Sequence, residues 1–392
     1  MNARTLSMRM YKKDWYCPLP FKHAFIDSNG ISACCSTQRY NVSLEDWVSH
    51  PKLLELQQAL LENRVTKSCM SCVKQEELQQ GKSLRTDSLR DYKNKHFTET
   101  DIDYVNYVSF NICNFKCRSC SPNFSHGIGQ EAKRNKQLAS FFGGGVPESK
   151  TVSVDDTNVE WITENLHKLN RIMFTGGEPT MIPGVKVLLE RIQRDYPEKQ
   201  VLIISNVSFS DKFWYDLTKS LPNMHWTVSI DSIGESAGIV RHGSNWKLIE
   251  KNVRWLAQNA NSLDINSTVS NLTVFQLGPL LTFGREMQKL SASPNGRHGD
   301  LGCRHQFFIC TRPYYLAADN LSEDLLEKAV VYLESCKKLD IDEEQSHMLN
   351  GLITQLSNST CDPALWEKSQ NYNQVLDNIR QQDHTSLYQV QI

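Results

Sequence analysis

The 392-residue sequence lacks several features that would place it in a common class. No stretch approaches the roughly 20 consecutive apolar residues that a membrane-spanning helix requires. Its 43 basic and 44 acidic residues nearly cancel, which argues against a broad nucleic-acid-binding surface. The segment that begins at Met1 has no apolar signal core, so we expect a cytoplasmic protein with no membrane partner.

Cysteine is also too scarce for a disulfide scaffold. The 12 cysteines among 392 residues fall well below the roughly 8–10% of small disulfide-rich proteins. In a chain expected to stay in a reducing compartment, clustered cysteines are more often metal ligands or catalytic groups than disulfides. Two clusters have metal-ligand spacing, Cys69-x2-Cys72 and Cys113-x3-Cys117-x2-Cys120.

The pattern of apolar residues divides the chain into three parts, residues 1–99, 100–318 and 319–392. The first part is cysteine-rich and the last contains only helical patterns. The middle part alternates six candidate strands with helices, which predicts an α/β fold with a parallel sheet, a partial (β/α)6 barrel of the TIM type. Ligands bind beyond the C-terminal ends of such strands. The candidate strands are Tyr104–Asn111, Arg171–Thr175, Val201–Asn206, His225–Asp231, Asp264–Ser270 and Gln306–Cys310.

The loop after the first of these strands carries Cys113, Cys117 and Cys120. Three thiolates leave one iron of a 4Fe–4S cubane open, which suits the binding of a cofactor or substrate at that iron. Two other interpretations remain at this point: a zinc site completed by His126, or buried free cysteines.

The end of the second strand reads Thr175-Gly176-Gly177-Glu178-Pro179. Paired glycines allow the backbone to approach a ligand closely, and Glu178 offers acceptors for an amine. Alone, this segment could be a tight turn that caps the next helix.

The two motifs together resemble the radical S-adenosylmethionine (SAM) enzymes. The resemblance implies that Cys113, Cys117 and Cys120 hold a catalytic 4Fe–4S cluster whose open iron binds the amine and carboxylate of SAM. It also implies SAM contacts at the ends of the later strands. The residues concerned are Thr175, Gly176, Gly177, Glu178, Pro179, Ser205, Asn206, Ser229, Asp231 and Arg241.

Some positions depart from the family pattern. Ser119 stands where the family commonly has an aromatic residue, and Val207 and Ser232 replace common glycines. Asn206 and Asp231 could instead cap helices, and Arg241 could pair with Glu235. These departures support an alternative function, a non-catalytic redox sensor that binds iron–sulfur or zinc and has a degenerate cofactor site.

The first part of the chain offers Cys17, Cys69, Cys72 and one of Cys34 or Cys35 as a second ligand set. Four thiolates suit structural zinc or a fully ligated 4Fe–4S cluster equally well. The layout resembles the auxiliary-cluster domain called twitch, a relative of SPASM, although that domain usually follows the barrel. The resemblance favours a second, auxiliary 4Fe–4S cluster.

The resemblance thus implies an enzyme that cleaves SAM reductively. The resulting 5′-deoxyadenosyl radical would abstract hydrogen from a peptide or small-molecule substrate. An external flavodoxin- or ferredoxin-like protein would donate the electron, and no nucleic-acid partner is expected.

Overall fold

A computed structural model describes residues 14–27, 29–78, 83–109, 111–143, 157–291 and 302–389. The chain divides into two compact units with the boundary between Val105 and Asn106. No helix in the described part of the chain is both long enough and apolar enough to cross a bilayer.

The first unit is built around a short hairpin. Strands β1 (His23–Asp27) and β2 (Gly30–Ser32) pair antiparallel, with Asp27 opposite Gly30. Gly30 has φ +121°, and a Cβ there would lie 2.2 Å from the carbonyl oxygen of Tyr40, so only glycine fits this turn. The helices of this unit are α1 (Leu19–Lys22), α2 (Leu44–Trp47), α3 (Pro51–Leu61), α4 (Met70–Leu78) and α5 (Leu84–Asp91).

The second unit contains an open, mostly parallel sheet. Its strands are β3 (Tyr104–Ser109), β5 (Arg171–Gly176), β6 (Gln200–Ser205), β7 (Met224–Ser229), β9 (Ser262–Val269) and β10 (Cys303–Ile309). They lie in the order β3-β5-β6-β7-β9-β10. The pairs β5–β6, β6–β7, β7–β9 and β9–β10 are all parallel. Among the described strands no pairing closes the sheet into a complete barrel.

Helices follow the strands because each apolar strand face needs a cover. They are α6 (His126–Arg134), α7 (Lys136–Ser140), α8 (Thr157–Glu164), α9 (Pro183–Asp195), α10 (Lys212–Ser220), α11 (Gly234–Val240), α12 (Trp246–Asn259) and α13 (Leu277–Leu290). All six candidate strands overlap observed strands, and the predicted α/β fold with a partial barrel is confirmed.

A two-residue ribbon lies outside the main sheet. Strand β4 (Lys116–Cys117) pairs antiparallel with β8 (Arg241–His242), so that Cys117 is opposite Arg241. This ribbon ties the cysteine loop to the segment that follows α11.

Three helices follow the sheet: α14 (Glu323–Cys336), α15 (Glu343–Ser357) and α16 (Pro363–Arg380). Leucines of α14 and α15, such as Leu333 and Leu352, pack with Phe307 of β10 in one hydrophobic cluster. Helix α16 contributes Tyr372 and Leu376 to another cluster, which also contains Val240 of α11. The third part of the predicted division is therefore helical, and the three-part domain division itself stays a prediction.

Two helical glycines provide a matched test of this packing. A Cβ at Gly284 of α13 would lie 2.5 Å from the His305 ring, whereas one at Gly351 of α15 would meet nothing within 4 Å. The ring is held by hydrogen bonds with Ser267 at 3.0 Å and Gln345 at 3.1 Å. We expect Gly284→Ala to lower the free energy of unfolding by about 1–3 kcal/mol.

The control, Gly351→Ala, should raise that free energy by up to about 1 kcal/mol, because alanine is the better helix former. Chemical denaturation monitored by circular dichroism measures both changes. Equal effects of the two substitutions would contradict this account of the packing.

Candidate active site

A cavity of about 640 Å³ opens at the C-terminal ends of the parallel strands. This volume lies within the roughly 300–1,000 Å³ of small-molecule sites. Its wall includes Cys113, Cys117 and Cys120 from the loop after β3. The predicted position of the site, beyond the strand ends, therefore coincides with a real cavity.

The three thiols are half-buried. The Cys113 Sγ accepts a hydrogen bond of 3.3 Å from the backbone N–H of Phe115, within its own loop. Burial raises the pKa of Cys113 to about 12, and it also raises the pKa values of Cys117 and Cys120. Thiols held in this state become thiolates when a positively charged metal group replaces their protons.

The spacing of the thiols does not suit a single zinc ion. Zn–S bonds of about 2.3 Å place the thiolates of a tetrahedral site roughly 3.8 Å apart. Among the described residues, the only three ligand atoms within 4.8 Å of one another belong to Asp377, Asp383 and His384. No three ligand atoms from the cysteine loop and His126 lie that close together. A 4Fe–4S cubane does not require such close approach, because it binds each thiolate through a different iron.

The Gly-Gly-Glu segment lies against the cysteine loop. Gly176 has φ +125°, and a Cβ on Gly177 would lie 2.2 Å from the carbonyl oxygen of Ile112. The backbone N–H of Glu178 donates to that same oxygen at 2.8 Å. The paired glycines thus allow the end of β5 to contact the loop directly, and both of them line the cavity.

The Glu178 carboxylate links the end of β5 to the end of β6 by hydrogen bonds. Its Oε1 accepts from the Ser205 hydroxyl at 2.7 Å, and its Oε2 accepts from the backbone N–H of Asn206 at 2.7 Å. The side chain is buried, and burial raises its pKa above the usual range. Glu178, Thr175 and Pro179 are not among the residues that line the cavity, so their predicted contacts with SAM stay predictions.

The end of β6 reaches the cavity through Ser205 and Asn206. The Asn206 amide donates to Asn114 Oδ1 at 2.9 Å, and its oxygen accepts from Ser208, so it does not cap helix α10. Val207 has φ +49°, a left-handed conformation that glycine adopts more easily than a β-branched residue. Its carbonyl is held by the Asn252 amide at 2.7 Å. The departure from glycine at this position is therefore accommodated by the surrounding backbone contacts.

Asp231 and Arg241 form an ion pair in the cavity wall. Arg241 Nη1 donates to Asp231 Oδ2 at 2.8 Å, and the other carboxylate oxygen accepts from the backbone N–H of Thr268 at 2.8 Å. The alternative pairing of Arg241 with Glu235 is not the one observed. Asp231 does not cap α11 either, because that helix begins after Ile233 without a side-chain cap.

Two buried atoms in the wall have no partner among the described residues, Arg241 Nε and Asn266 Oδ1. Unpaired buried polar atoms are rare in folded proteins and often mark a site for a ligand. Together with the three thiols and the polar strand ends, Arg241 Nε belongs to a set of groups that fits an iron–sulfur cluster with a polar cofactor beside it.

Arg118, which lies between Cys117 and Cys120, anchors the loop to the C-terminal helix. All five of its N–H donors have partners: Nε donates to the Ile239 carbonyl at 3.0 Å, Nη1 to both oxygens of Asn373 at 3.2 Å, and Nη2 to Asp377 and to Gln382 at 3.2 Å. The side chain is fully buried. Since arginine has five donors, this guanidinium is saturated.

The backbone of Arg118 is fixed as well. Its N–H donates to the Val240 carbonyl at 2.9 Å, and its carbonyl accepts from the Tyr372 hydroxyl at 2.9 Å. A second contact joins the same parts of the chain, since Glu131 accepts from both Lys116 at 2.5 Å and Arg380 at 2.7 Å. The loop that carries the cysteines thus depends on α16, a role that sequence reasoning missed.

The five cysteines of the first unit lie near one another. Cys17 is within electrostatic range of Cys34 and Cys69, and Cys72 is within range of Cys69 and Cys35. Burial raises the pKa of Cys17 and of Cys34 to about 12, whereas Cys35 is exposed. No three of these thiols lie within 4.8 Å of one another in the described structure, which is wider than a zinc site requires.

A buried ion pair links two of the segments that carry the cysteines of the first unit. Arg85 donates to both carboxylate oxygens of Glu76 at 2.8 and 2.7 Å, and it also donates to the carbonyls of Asp14 and Tyr16 at 3.0 and 3.1 Å. It therefore connects the helix of Cys72 to the segment that carries Cys17.

Comparison with known families gives a match for part of the second unit. Residues 107–276 match the family model described as the radical SAM superfamily. This segment is a radical SAM domain. Members of the superfamily are enzymes, and the family implies a 4Fe–4S cluster and SAM. The matched segment contains Cys113, Cys117 and Cys120, while the cysteines of the first unit and helices α14 to α16 lie outside it.

Several solved structures are partly similar to this chain. SuiB from Streptococcus suis, bound to the precursor peptide SuiA, is 13% identical, with a TM-score of 0.36 over 58% of this chain and 53% of SuiB. The protein anSMEcpe with bound AdoMet is 15% identical, with a TM-score of 0.39 over 60% of this chain and 58% of that chain. TYW1 with a lysine-pyruvate adduct is 14% identical, with a TM-score of 0.33 over 70% of this chain and 85% of that chain.

The alignments span only about half of SuiB and of anSMEcpe. All three TM-scores lie below 0.5, and the assignment of the radical SAM domain comes from the family model and its cysteine motif.

The anchoring of the radical SAM loop by α16 can be tested with Asp377→Asn. This substitution leaves the Arg118 guanidinium buried without a counter-ion, and the loss of one partner of a buried pair costs about 3–5 kcal/mol. We expect a drop in the free energy of unfolding of that order, together with faster loss of iron to a chelator from the anaerobically reconstituted protein.

Asp362→Asn is the matched control. Asp362 caps the N-terminus of the same helix through Ala364 and Leu365, and asparagine is an equally good N-cap. A similar loss of stability in both variants, or unchanged iron release from Asp377→Asn, would contradict a specific role for the Arg118 contact.

Proposed function

We propose that the second unit uses a 4Fe–4S cluster and SAM to remove a hydrogen atom from a peptide or small-molecule substrate. The observation that carries this proposal is the position of three half-buried thiols in the wall of the same cavity as Gly176, Asn206 and Arg241. The match of the surrounding segment to the radical SAM superfamily supports it.

In this proposal, Cys113, Cys117 and Cys120 hold three irons of the cluster and leave the fourth for SAM. When bound, the cluster supplies one electron for the reductive cleavage of SAM to methionine and the 5′-deoxyadenosyl radical. The protein contributes binding, orientation and the exclusion of water from the reactive group.

The polar residues of the cavity wall orient SAM. Arg241 is held by Asp231, and its Nε is unpaired among the described residues, which supports its assignment to the SAM carboxylate in this proposal. Ser205, Asn206 and Ser229 offer hydroxyl and amide groups at the ends of β6 and β7. Gly176 and Gly177 bring the backbone of β5 to the cavity, and the Glu178 carboxylate keeps the ends of β5 and β6 in register.

The first unit, in this proposal, holds an auxiliary 4Fe–4S cluster in a twitch- or SPASM-like arrangement. Its ligands are Cys17, Cys34, Cys69 and Cys72, because the Cys34 thiol is the more buried member of the Cys34–Cys35 pair and interacts with Cys17. An external flavodoxin- or ferredoxin-like protein supplies electrons. Clusters and reduced thiols of this kind fit the reducing cytoplasm.

The central test measures 5′-deoxyadenosine from SAM after anaerobic reconstitution and reduction with dithionite. We expect the wild-type protein to form it and Cys117→Ala to lose the activity, because two thiolates cannot hold the cluster with one open iron. Cys361→Ala is the matched control, since that half-buried cysteine precedes α16 and is not in the cavity wall.

If the reconstituted wild-type protein bound iron and SAM but formed no 5′-deoxyadenosine, the enzymatic proposal would be wrong. That result would favour the non-catalytic redox sensor. Retained activity in Cys117→Ala would instead contradict the ligand assignment.

Metal content tests the auxiliary cluster. We expect about eight iron atoms per wild-type chain and about four in Cys72→Ala, since each cluster contributes four. Cys34→Ser and Cys35→Ser form a matched pair in which only Cys34→Ser should lose iron. Tightly bound zinc after anaerobic purification, or an equal loss from Cys35→Ser, would contradict this assignment.

A further inference from the structure

The wall of the cavity has a second side that the proposed cofactor contacts do not use. The residues assigned to SAM lie at or just after the ends of β5, β6 and β7, and at Arg241 of β8. The remaining wall includes Asn266 and Thr268 of β9, Phe308 of β10 and Arg312 just after it, with Phe124 facing from the segment before α6. If SAM occupies the first side, as the proposed function requires, this second side is the space left for the substrate.

The second side is unusually apolar for an accessible surface. Phe124 and Phe308 are large aromatic side chains that remain 47% and 44% exposed. Phe141, which also lines the cavity, packs its ring against Tyr315 at 5.8 Å and Tyr372 at 5.1 Å. Phe141 is therefore held in place by these two rings, and apolar side chains exposed in a cavity favour an apolar group of the ligand.

Arg312 adds a positive charge to this apolar side. Arg241 and Arg312 are the cationic residues among those described in the cavity wall, and Asp231 is the only carboxylate there. Asp231 is already paired with Arg241. The Arg312 guanidinium lies 5.9 Å from the centre of the Tyr314 ring, and within the described part of the chain it forms no ion pair.

The orphaned Oδ1 of Asn266 lies in the same wall. An acceptor at this point suits an N–H donor of the ligand, such as an amide. The second side thus combines an unpaired cation, an exposed aromatic surface and an unpaired acceptor.

We propose that this side binds a substrate that carries a carboxylate close to an aromatic or large aliphatic group. Arg312 pairs with the carboxylate, and Phe124 and Phe308 pack against the apolar group. Arg312 is therefore a residue that determines substrate specificity. The carboxylate can be the α-carboxylate of a terminal residue or the side chain of an aspartate or glutamate, and both present the same chemistry to the guanidinium.

Three probes of known composition test this proposal on the SAM-loaded, reconstituted protein before reduction. N-acetyl-L-phenylalanine carries an α-carboxylate, N-acetyl-L-phenylalaninamide carries none, and N-acetyl-L-glutamyl-L-phenylalaninamide carries only a side-chain carboxylate. Equilibrium dialysis gives the three affinities. We expect at least one carboxylate probe to bind about tenfold more tightly than the amide, the size of one charge-assisted contact. The tighter of the two carboxylate probes identifies the source of the carboxylate.

Arg312→Gln should abolish this preference, and Arg312→Lys should restore part of it. Phe308→Ala should weaken the binding of all three probes. The matched control is Arg194→Gln, at an exposed arginine of α9 outside the cavity wall, which should leave every affinity unchanged.

The affinity for SAM in the variant, and the formation of 5′-deoxyadenosine by the wild-type protein, separate this inference from the proposed function. We expect the affinity for SAM to be unchanged in Arg312→Gln. Weaker SAM binding in that variant would overturn the inference, because Arg312 would then belong to the cofactor side. A persistent carboxylate preference in Arg312→Gln, or no binding of any probe by a wild-type protein that cleaves SAM, would also overturn it.

Discussion

The candidate active site depends on the hydrogen bonds and the ion pair of the Arg118 guanidinium. Arg118 belongs to the cysteine loop. Its partners are Ile239 of α11, Asn373 and Asp377 of α16, and Gln382 just after α16. A buried charge is stable only when it is paired and its donors are satisfied. Any displacement of α16 would therefore leave an unpaired cation beside Cys117, so the loop and the helix must form or unfold together.

In the first unit, too, a buried arginine fixes segments that carry cysteines. The cysteines of this unit come from a loop, a turn and a short helix. Arg85 joins the helix of Cys72 to the segment of Cys17 through Glu76 and two backbone carbonyls. Ionic contacts with saturated donors are directional. They can fix the positions of cysteines where apolar packing alone would leave the loops free to move.

The strands, their parallel order and the position of the cavity could be predicted from the sequence, because apolar runs and glycine pairs are local signals. The cysteine loop and the Gly176–Gly177 segment were recognisable for the same reason. Arg118 and Asp377 were not, since a contact between residues 259 positions apart leaves no periodic pattern. Glu178 was recognised by type, but its orientation toward Ser205 and Asn206 depends on how two strand ends meet. Asn266 and Arg312 carry no motif and become visible only as parts of a common wall.

The distance along the chain between Arg118 and its partners also orders events during synthesis. The cysteine loop leaves the ribosome about 250 residues before Asn373 and Asp377, which at about 5–20 residues per second corresponds to roughly 10–50 s. During that interval the loop has no fixed conformation imposed by α16. If Cys113, Cys117 and Cys120 hold a cluster as proposed, its stable insertion is therefore a late step of maturation. A nascent chain stalled before α16 would leave three thiols open to oxidation.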